Sequence, residues 1–474
     1  MNILFVVHDC LTVPLGIGYL GAVAKEAGHT VRIGTLLYDN IPSLAAEINV
    51  DMVGFTATTG YHHRYLAMAK QIKESNPGIL TVMGGAHPTF FPEDLERHPY
   101  LDAVCRGEGE EAFVEFLDAV SSGRDHTKVN NFWVRDGGTI HRNPLRPRIR
   151  NLDDIPFPDR SLWHPYERLM HFKTPFVMTG RGCPYRCSYC FNHAFNELYA
   201  FDDRLIRRRS VDNVIAELSH LKQTYPVELV VFQDDIFILD RSWVLEFCRR
   251  YQTEINIPFH CHLRANLVDE EIIEALASSG CISIKMAIES ADDHIRNAIL
   301  KRGMSREQIL TATRLVREAG IVLVTQNILG SPGETFDQAI ETLKLNVECR
   351  PGYAFATLLQ PYPKTEIGEY ARSEGLLSCD DEQFNHGSFF DKTILKIPRR
   401  KHMERLRMLF PLAIEFGAIR AMLPFLVRIP INPVYGLMDK LWKGFAVKHR
   451  EMRYSLTFRE YIRSLRTYFS TGYY

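Results

Sequence analysis

Three cysteines crowded into Arg181-Gly-Cys-Pro-Tyr-Arg-Cys-Ser-Tyr-Cys-Phe191 narrow the folds open to this chain more than anything else in it. Cys183, Cys187 and Cys190 have C-x-x-x-C-x-x-C spacing, which suits three irons of a 4Fe-4S cubane and leaves the fourth iron without a protein ligand. Half of a zinc site is the alternative, with His193 as a further donor. An apolar run, Pro175-Phe-Val-Met178, leads into the turn Thr179-Gly-Arg-Gly182 just before the cysteines. That order fits a cofactor loop at a strand end better than a zinc knuckle. The other seven cysteines (Cys10, Cys105, Cys248, Cys261, Cys281, Cys349 and Cys379) are widely spaced, so one cluster is expected.

A chain of 474 residues exceeds one ordinary core and divides into two or three domains. With 46% hydrophobic and 24% charged residues it reads as soluble and globular, and no run approaches a membrane span. The opening Met1-Asn-Ile-Leu-Phe-Val-Val-His-Asp9 reads as a strand rather than a secretion leader, so a cytoplasmic location is expected.

Residues 1–130 alternate strand and helix. Strands are expected at Ile3–Val7, from Val31 to Ile33, at Val53–Thr56 and from Leu80 to Met83, with helices over Gly16–Ala27 and Tyr65–Glu74. The alternation implies a doubly wound parallel sheet, with ligands at the carboxyl edge of its strands. Residues 131–170 read as a connector, with a hairpin turn at Asp136-Gly137-Gly138 and a proline-rich link. The alternation resumes over 171–395, where six strand candidates begin with Pro175–Met178 and end with Ala354–Leu359. Residues 396–474 form a basic helical segment with 16 Lys and Arg against 5 Asp and Glu, about +11, while the rest carries about −12. Its apolar, proline-broken Leu423–Pro433 fits either a helical lid over the second domain, the favoured reading, or peripheral contact with an anionic membrane.

The cysteine motif resembles the signature of the radical S-adenosylmethionine superfamily. Three loops, Phe55-Thr-Ala-Thr-Thr-Gly60, Gly84-Gly-Ala-His-Pro-Thr89 and Arg106-Gly-Glu-Gly-Glu-Glu111, resemble the cobalamin-binding domain found at the N-terminus of many of its members. Together these resemblances imply an α/β protein with a Rossmann-like cobalamin domain, a partial (β/α)6 radical S-adenosylmethionine barrel and a helical C-terminal segment. They imply three cofactors: one 4Fe-4S cluster on Cys183, Cys187 and Cys190, S-adenosylmethionine and cobalamin. Thr56, Thr58, Gly84, Gly85, His87, Thr89 and Glu108 would bind cobalamin, and the loop from His8 to Leu15 would face the corrin. The D-x-H-x-x-G of other cobalamin proteins is absent, and a structural role is expected for each nearby histidine, His8, His62, His63 and His87.

For S-adenosylmethionine the resemblance points to Tyr189, Asp234, Asp235, Arg264, Glu289, Ser290 and Ile328. Gln233-Asp-Asp-Ile-Phe237 stands where members of the superfamily carry Gly-Gly-Glu, and a solvated acidic turn is an equal reading of it. Asn327-Ile-Leu-Gly-Ser-Pro-Gly-Glu334 matches most of the adenine-side motif, and Pro361-Tyr-Pro-Lys-Thr365 has Lys364 where glycine is usual. The implied activity is methyl transfer to an unactivated carbon of a hydrophobic small molecule, with a flavodoxin or ferredoxin as low-potential electron donor and no nucleic-acid partner. Oxidative cyclisation without methyl transfer, as in proteins resembling anaerobic magnesium-protoporphyrin ester cyclase, is the rival. A non-catalytic cobalamin or iron-sulfur sensor is the alternative from another class.

Overall fold

The computed structural model describes residues 1–9, 13–167, 172–378 and 393–462. Among these, one compact unit holds 1–167 with Tyr199–Arg204, and a second holds 172–198 with 205–462. Cys10 and Cys379 lie outside the described residues, as does the middle of the loop expected to face the corrin.

In the first unit, β1 (Asn2–Val7) is an apolar run buried from Ile3 onward, as a strand covered on both faces must be. It lies parallel to β2 (Thr30–Thr35) on one side and β3 (Met52–Thr56) on the other. β4 (Leu80–Gly84) and β5 (Ala103–Cys105) extend the parallel sheet. The chain therefore reverses its direction of travel between β1 and β3, and this switch point opens a crevice at the strand carboxyl ends. β6 (Phe132–Asp136) and β7 (Thr139–Arg142) form the expected hairpin, and β6 pairs antiparallel with β5. The hairpin thus joins the sheet itself. Its buried Phe132 and Val134 cover the edge that the three-residue β5 would otherwise leave open.

In the second unit, β8 (Phe176–Val177) starts a six-stranded parallel sheet. β9 (Gly180–Arg181) and β10 (Arg207–Arg208) make a short antiparallel ladder around the cysteine loop. The main sheet continues in chain order through β11 (Val230–Phe232), β12 (Phe259–Leu263), β13 (Cys281–Glu289), β14 (Val322–Leu329) and β15 (Tyr353–Leu358). Helices Val211–Thr224, Arg241–Glu254, Glu270–Ser278, Arg306–Glu318 and Phe336–Cys349 alternate with the strands. Each begins with a Ser, Asp or Thr side chain accepting from its third helical residue, which fixes where the strand-to-helix turns fall. This is the (β/α)6 arrangement expected from the sequence. Phe232, Phe237, Phe247, Tyr251 and Phe259 pack edge-on and tilted to one another between sheet and helices, fully buried.

Helix Arg400–Glu415 packs along β15 and covers that edge with Met403, Leu406, Leu409 and Phe410. The chain then crosses the opposite end of the sheet from the cysteines. Arg450 donates to the Gly352 carbonyl at 2.7 Å, Ser283 Oγ to the Glu451 carbonyl at 2.6 Å, and the Ser455 amide to Glu228 at 2.5 Å. These partners all sit at the amino ends of strands, so this stretch closes the base of the barrel and is not the expected lid. Among the described residues near this segment, Thr393–Ile397 passes the carboxyl ends, where Thr393 Oγ1 donates to the Leu359 carbonyl at 2.5 Å.

Candidate cofactor sites

The cysteine loop is tied down at both ends. Asp234, buried after β11, accepts from the Thr179 amide at 3.0 Å and from its hydroxyl at 2.6 Å, which fixes the exit of β8. Ser188 Oγ donates to the Ile299 carbonyl at 2.6 Å, and Asn196 donates to the Cys183 carbonyl at 3.0 Å. Gly182 has φ +97°, and a Cβ there would lie 1.8 Å from the Leu205 carbonyl oxygen, so only glycine lets the chain pass into Cys183.

Burial pushes the Cys183 thiol up and the Cys190 thiol up to about 12, and the charge of exposed Asp235 adds to both shifts. Thiolates in such surroundings need a cation, which iron supplies. Two guanidinium groups also approach: Arg302 Nη1 is 3.6 Å and Arg264 Nη1 3.9 Å from Cys187 Sγ. Arg264 lies 3.6 Å over the Tyr185 ring and donates to the Arg302 carbonyl. His193, the further donor a zinc site would need, faces Glu197 at 3.4 Å.

Tyr189 and Glu289 meet. The Tyr189 hydroxyl donates to Glu289 Oε1 at 2.7 Å and accepts from Arg302 at 3.3 Å. Glu289 ends β13 with φ +68°, beside an irregularity in the β13–β14 register, which turns its side chain inward. Burial raises its carboxyl pKa, while Arg302 and Tyr189 pull it back down. Ser290 is buried just beyond, where its Oγ accepts from the Asp292 amide at 3.3 Å. Ile328 is half-buried near the end of β14. After that strand, Glu334 Oε2 accepts from the Gly330 and Ser331 amides at 2.5 and 3.0 Å, and burial pushes its carboxyl up to about 7.

Arg264 Nε, Arg302 Nε, Ser331 Oγ and Glu334 Oε1 are buried without hydrogen-bond partners. Each such group costs about 1–3 kcal/mol if left so. They stand in the segments that follow β12, β13 and β14, and the two arginines approach Cys187, which fits a cluster with a zwitterionic nucleoside ligand. Arg302 is absent from the sequence-based set, because Leu300-Lys-Arg-Gly303 reads locally as a solvated basic turn.

In the first unit the crevice loops brace one another. Gly85 has φ +99°, and a Cβ there would stand 2.9 Å from the Ala57 carbonyl oxygen. Thr89 Oγ1 donates to the Gly85 carbonyl at 2.8 Å and accepts from the Gly107 amide at 2.9 Å. Glu108 accepts from the Ile149 amide at 3.0 Å. His87 uses both nitrogens, toward Asp94 at 2.8 Å and Thr59 at 3.1 Å, and stacks on His62 at 3.6 Å. His62, His87 and Asp94 brace the loop through this stacking and hydrogen bonding, and their ligand-type atoms lie within 4.8 Å of one another. Burial lowers His62 to about 3, so it packs as the neutral ring. Half-buried Thr56 and exposed Thr58 stand at the carboxyl end of β3, and Gly84 ends β4, all on the crevice.

Residues 177–345 match the radical SAM superfamily and residues 3–117 match the B12 binding domain. The chain belongs to the radical S-adenosylmethionine superfamily, in its cobalamin-binding branch. It is 34% identical to an uncharacterized methyltransferase of Pyrococcus horikoshii, over 77% of this chain and 79% of the relative. It is 28% identical to the anaerobic magnesium-protoporphyrin IX monomethyl ester cyclase of Rubrivivax gelatinosus, over 75% of this chain and 65% of that one. The cobalamin-dependent S-adenosylmethionine radical enzyme OxsB, solved with aqua-cobalamin and S-adenosylmethionine bound, shares its fold. The TM-score is 0.69 at 16% identity, covering 99% of this chain and 84% of that one.

Proposed function

We propose that this cobalamin-dependent radical S-adenosylmethionine methyltransferase methylates an unactivated carbon of a hydrophobic small molecule. The observation that carries this reading is the cysteine loop at the carboxyl ends of a (β/α)6 sheet, approached by the buried guanidinium groups of Arg264 and Arg302, in a chain that also has a cobalamin-type switch-point crevice. The cofactors supply the methyl group and the carbon-centred radical chemistry when bound. The protein supplies placement. Cys183, Cys187 and Cys190 would hold the cluster, and Arg264 and Arg302 would offer the guanidinium groups for a carboxylate. Tyr189 and Glu289 would take the nucleoside side, with Ser290, Ile328 and Glu334 beyond them. Asp234 would act through Thr179, and Asp235 would face the mouth. In the other unit Thr56, Thr58, Gly84 and Gly85 would line cobalamin, held in place by His87, Thr89 and Glu108.

A flavodoxin or ferredoxin would deliver the electron, and the C-terminal segment would meet a membrane peripherally in the cytoplasm. Methyl-labelled S-adenosylmethionine, given to the reconstituted protein with lipid and pigment extracts, tests the reading. Label in an organic product supports it. Similarity to the cyclase favours a second reading, oxidative cyclisation. Deoxyadenosine formed with no label in any product would select that reading instead.

A further inference from the structure

We propose that the outer face of the C-terminal helices is a docking surface for an anionic membrane. Helix Asn432–Ala446 turns Tyr435 and Ala446 inward. Val434, Leu437, Leu441 and Phe445, each about half exposed, follow at i, i+3, i+7 and i+11 and so share one stripe beside that buried face. The preceding helix, Gly417–Leu426, buries Leu423 but exposes Met422 and Phe425. Including Phe416 and Ile431, eight of the sixteen exposed large apolar side chains among the described residues fall between 416 and 445. A concentration of that kind marks an interaction surface. No helix of the described residues is long and apolar enough to cross a membrane, so the face rests on its partner rather than passing through it.

Charge selects the occupant. Residues 416–462 carry eight Lys and Arg against three Asp and Glu. All three acids are spent on cations outside the segment: Asp439 on Arg407 at 2.9 Å, Glu451 on Lys285 at 2.8 Å and Glu460 on Lys173 at 3.4 Å, while Arg450 in turn is spent on Glu415, just before the segment, at 2.8 Å. Exposed Arg428 stands in the linker between the two apolar helices, and Arg453 and Arg459 are exposed beyond them. A second copy would set this basic face against itself. Anionic headgroups complement it while the apolar stripe enters the acyl boundary, and the acidic remainder of the chain is repelled from the same surface. This sharpens the membrane part of the proposed function and rests on it, but it does not depend on which reaction is catalysed.

Flotation of the full-length protein with phosphatidylcholine vesicles, with and without phosphatidylglycerol, provides the test. The protein should float with the anionic vesicles and not the neutral ones, and added salt should weaken the association. The variants L437E/L441E and R428E/R453E should each reduce the bound fraction roughly tenfold or more, with circular dichroism and cluster content unchanged. Wild-type protein that stays unbound, or variants that float as well as it does, would overturn the proposal. A concentration-dependent dimer abolished by L437E/L441E, with no flotation, would give the face to a second copy instead. Flotation is read without turnover, so its failure leaves the methyl-transfer reading standing.

Discussion

Arg302 is buried with its guanidinium between the Cys187 thiol, the Tyr189 phenol and the Glu289 carboxylate, so a neutral side chain there removes a charge that all three face. A cation beside Cys187 favours the reduced, more negative cluster. R302Q should therefore lower the reduction potential of the reconstituted cluster, on the order of 50 mV for about 1 kcal/mol of lost stabilisation. R302K should recover part of the shift, and an EPR-monitored redox titration reads both. Glu334 offers a pH test. Its folded pKa, about 7, lies above its ordinary 4.5, so between those values the native state keeps a proton that the unfolded chain releases. Stability thus falls as pH rises through that window, by about 3 kcal/mol at most. In E334Q this fall should be missing, which urea unfolding of the cofactor-free protein at about pH 5 and about pH 8 would reveal. At this scale the sequence exposed the residues that bear a motif and concealed those that act by burial. Tyr189 and Glu289 were legible, and the structure joins them. Arg302 was not, since a buried arginine and a solvated one look alike in a short basic turn.

Elements were the most legible level, because their signals are local. The helix starts at Ser210, Asp240, Asp269, Ser305 and Thr335 carry their own capping side chains, and the buried strands are short apolar runs between them. β8 has only two ladder residues, yet Pro175–Met178 was readable from the glycine-bracketed turn that follows. The hairpin of β6 and β7 was visible as a turn, but its membership of the first sheet was not, since pairing with β5 is a contact some 30 residues away. Gly182 tests whether local geometry sets the cluster loop. Neither its φ nor its distance to the Leu205 carbonyl admits a Cβ, so G182A has to displace β9 or the loop. Anaerobically purified G182A should hold less than half the iron and sulfide of wild type while keeping its far-ultraviolet dichroism. Full cluster content would show that the loop adapts.

At the scale of the molecule, the base of the barrel is closed by residues that the sequence gives no reason to pair. Glu451 lies in a tail dominated by cations, and its partner Lys285 is 166 positions earlier in the chain, so composition suggests a lid or a membrane contact but never this closure. In the structure the Lys285 ammonium sits 2.8 Å from Glu451, whose side chain is only 4% exposed. His260 lies alongside at 4.0 Å, and burial lowers its pKa well below the usual value, so the lysine alone carries the charge that Glu451 answers. Removing Lys285 leaves the buried Glu451 carboxylate without its counter-charge, so K285M, which keeps the volume but not the charge, should cost about 3 kcal/mol. E451A should cost somewhat less, because the lysine it leaves unpaired is partly solvated. If the pair ties the tail to the barrel, the K285M/E451A double variant should be more stable than the sum of the singles predicts, by at least about 1 kcal/mol. Strict additivity in thermal unfolding would mean that the Ser283 bond to the Glu451 carbonyl, and not the ion pair, holds the segment across the strand ends.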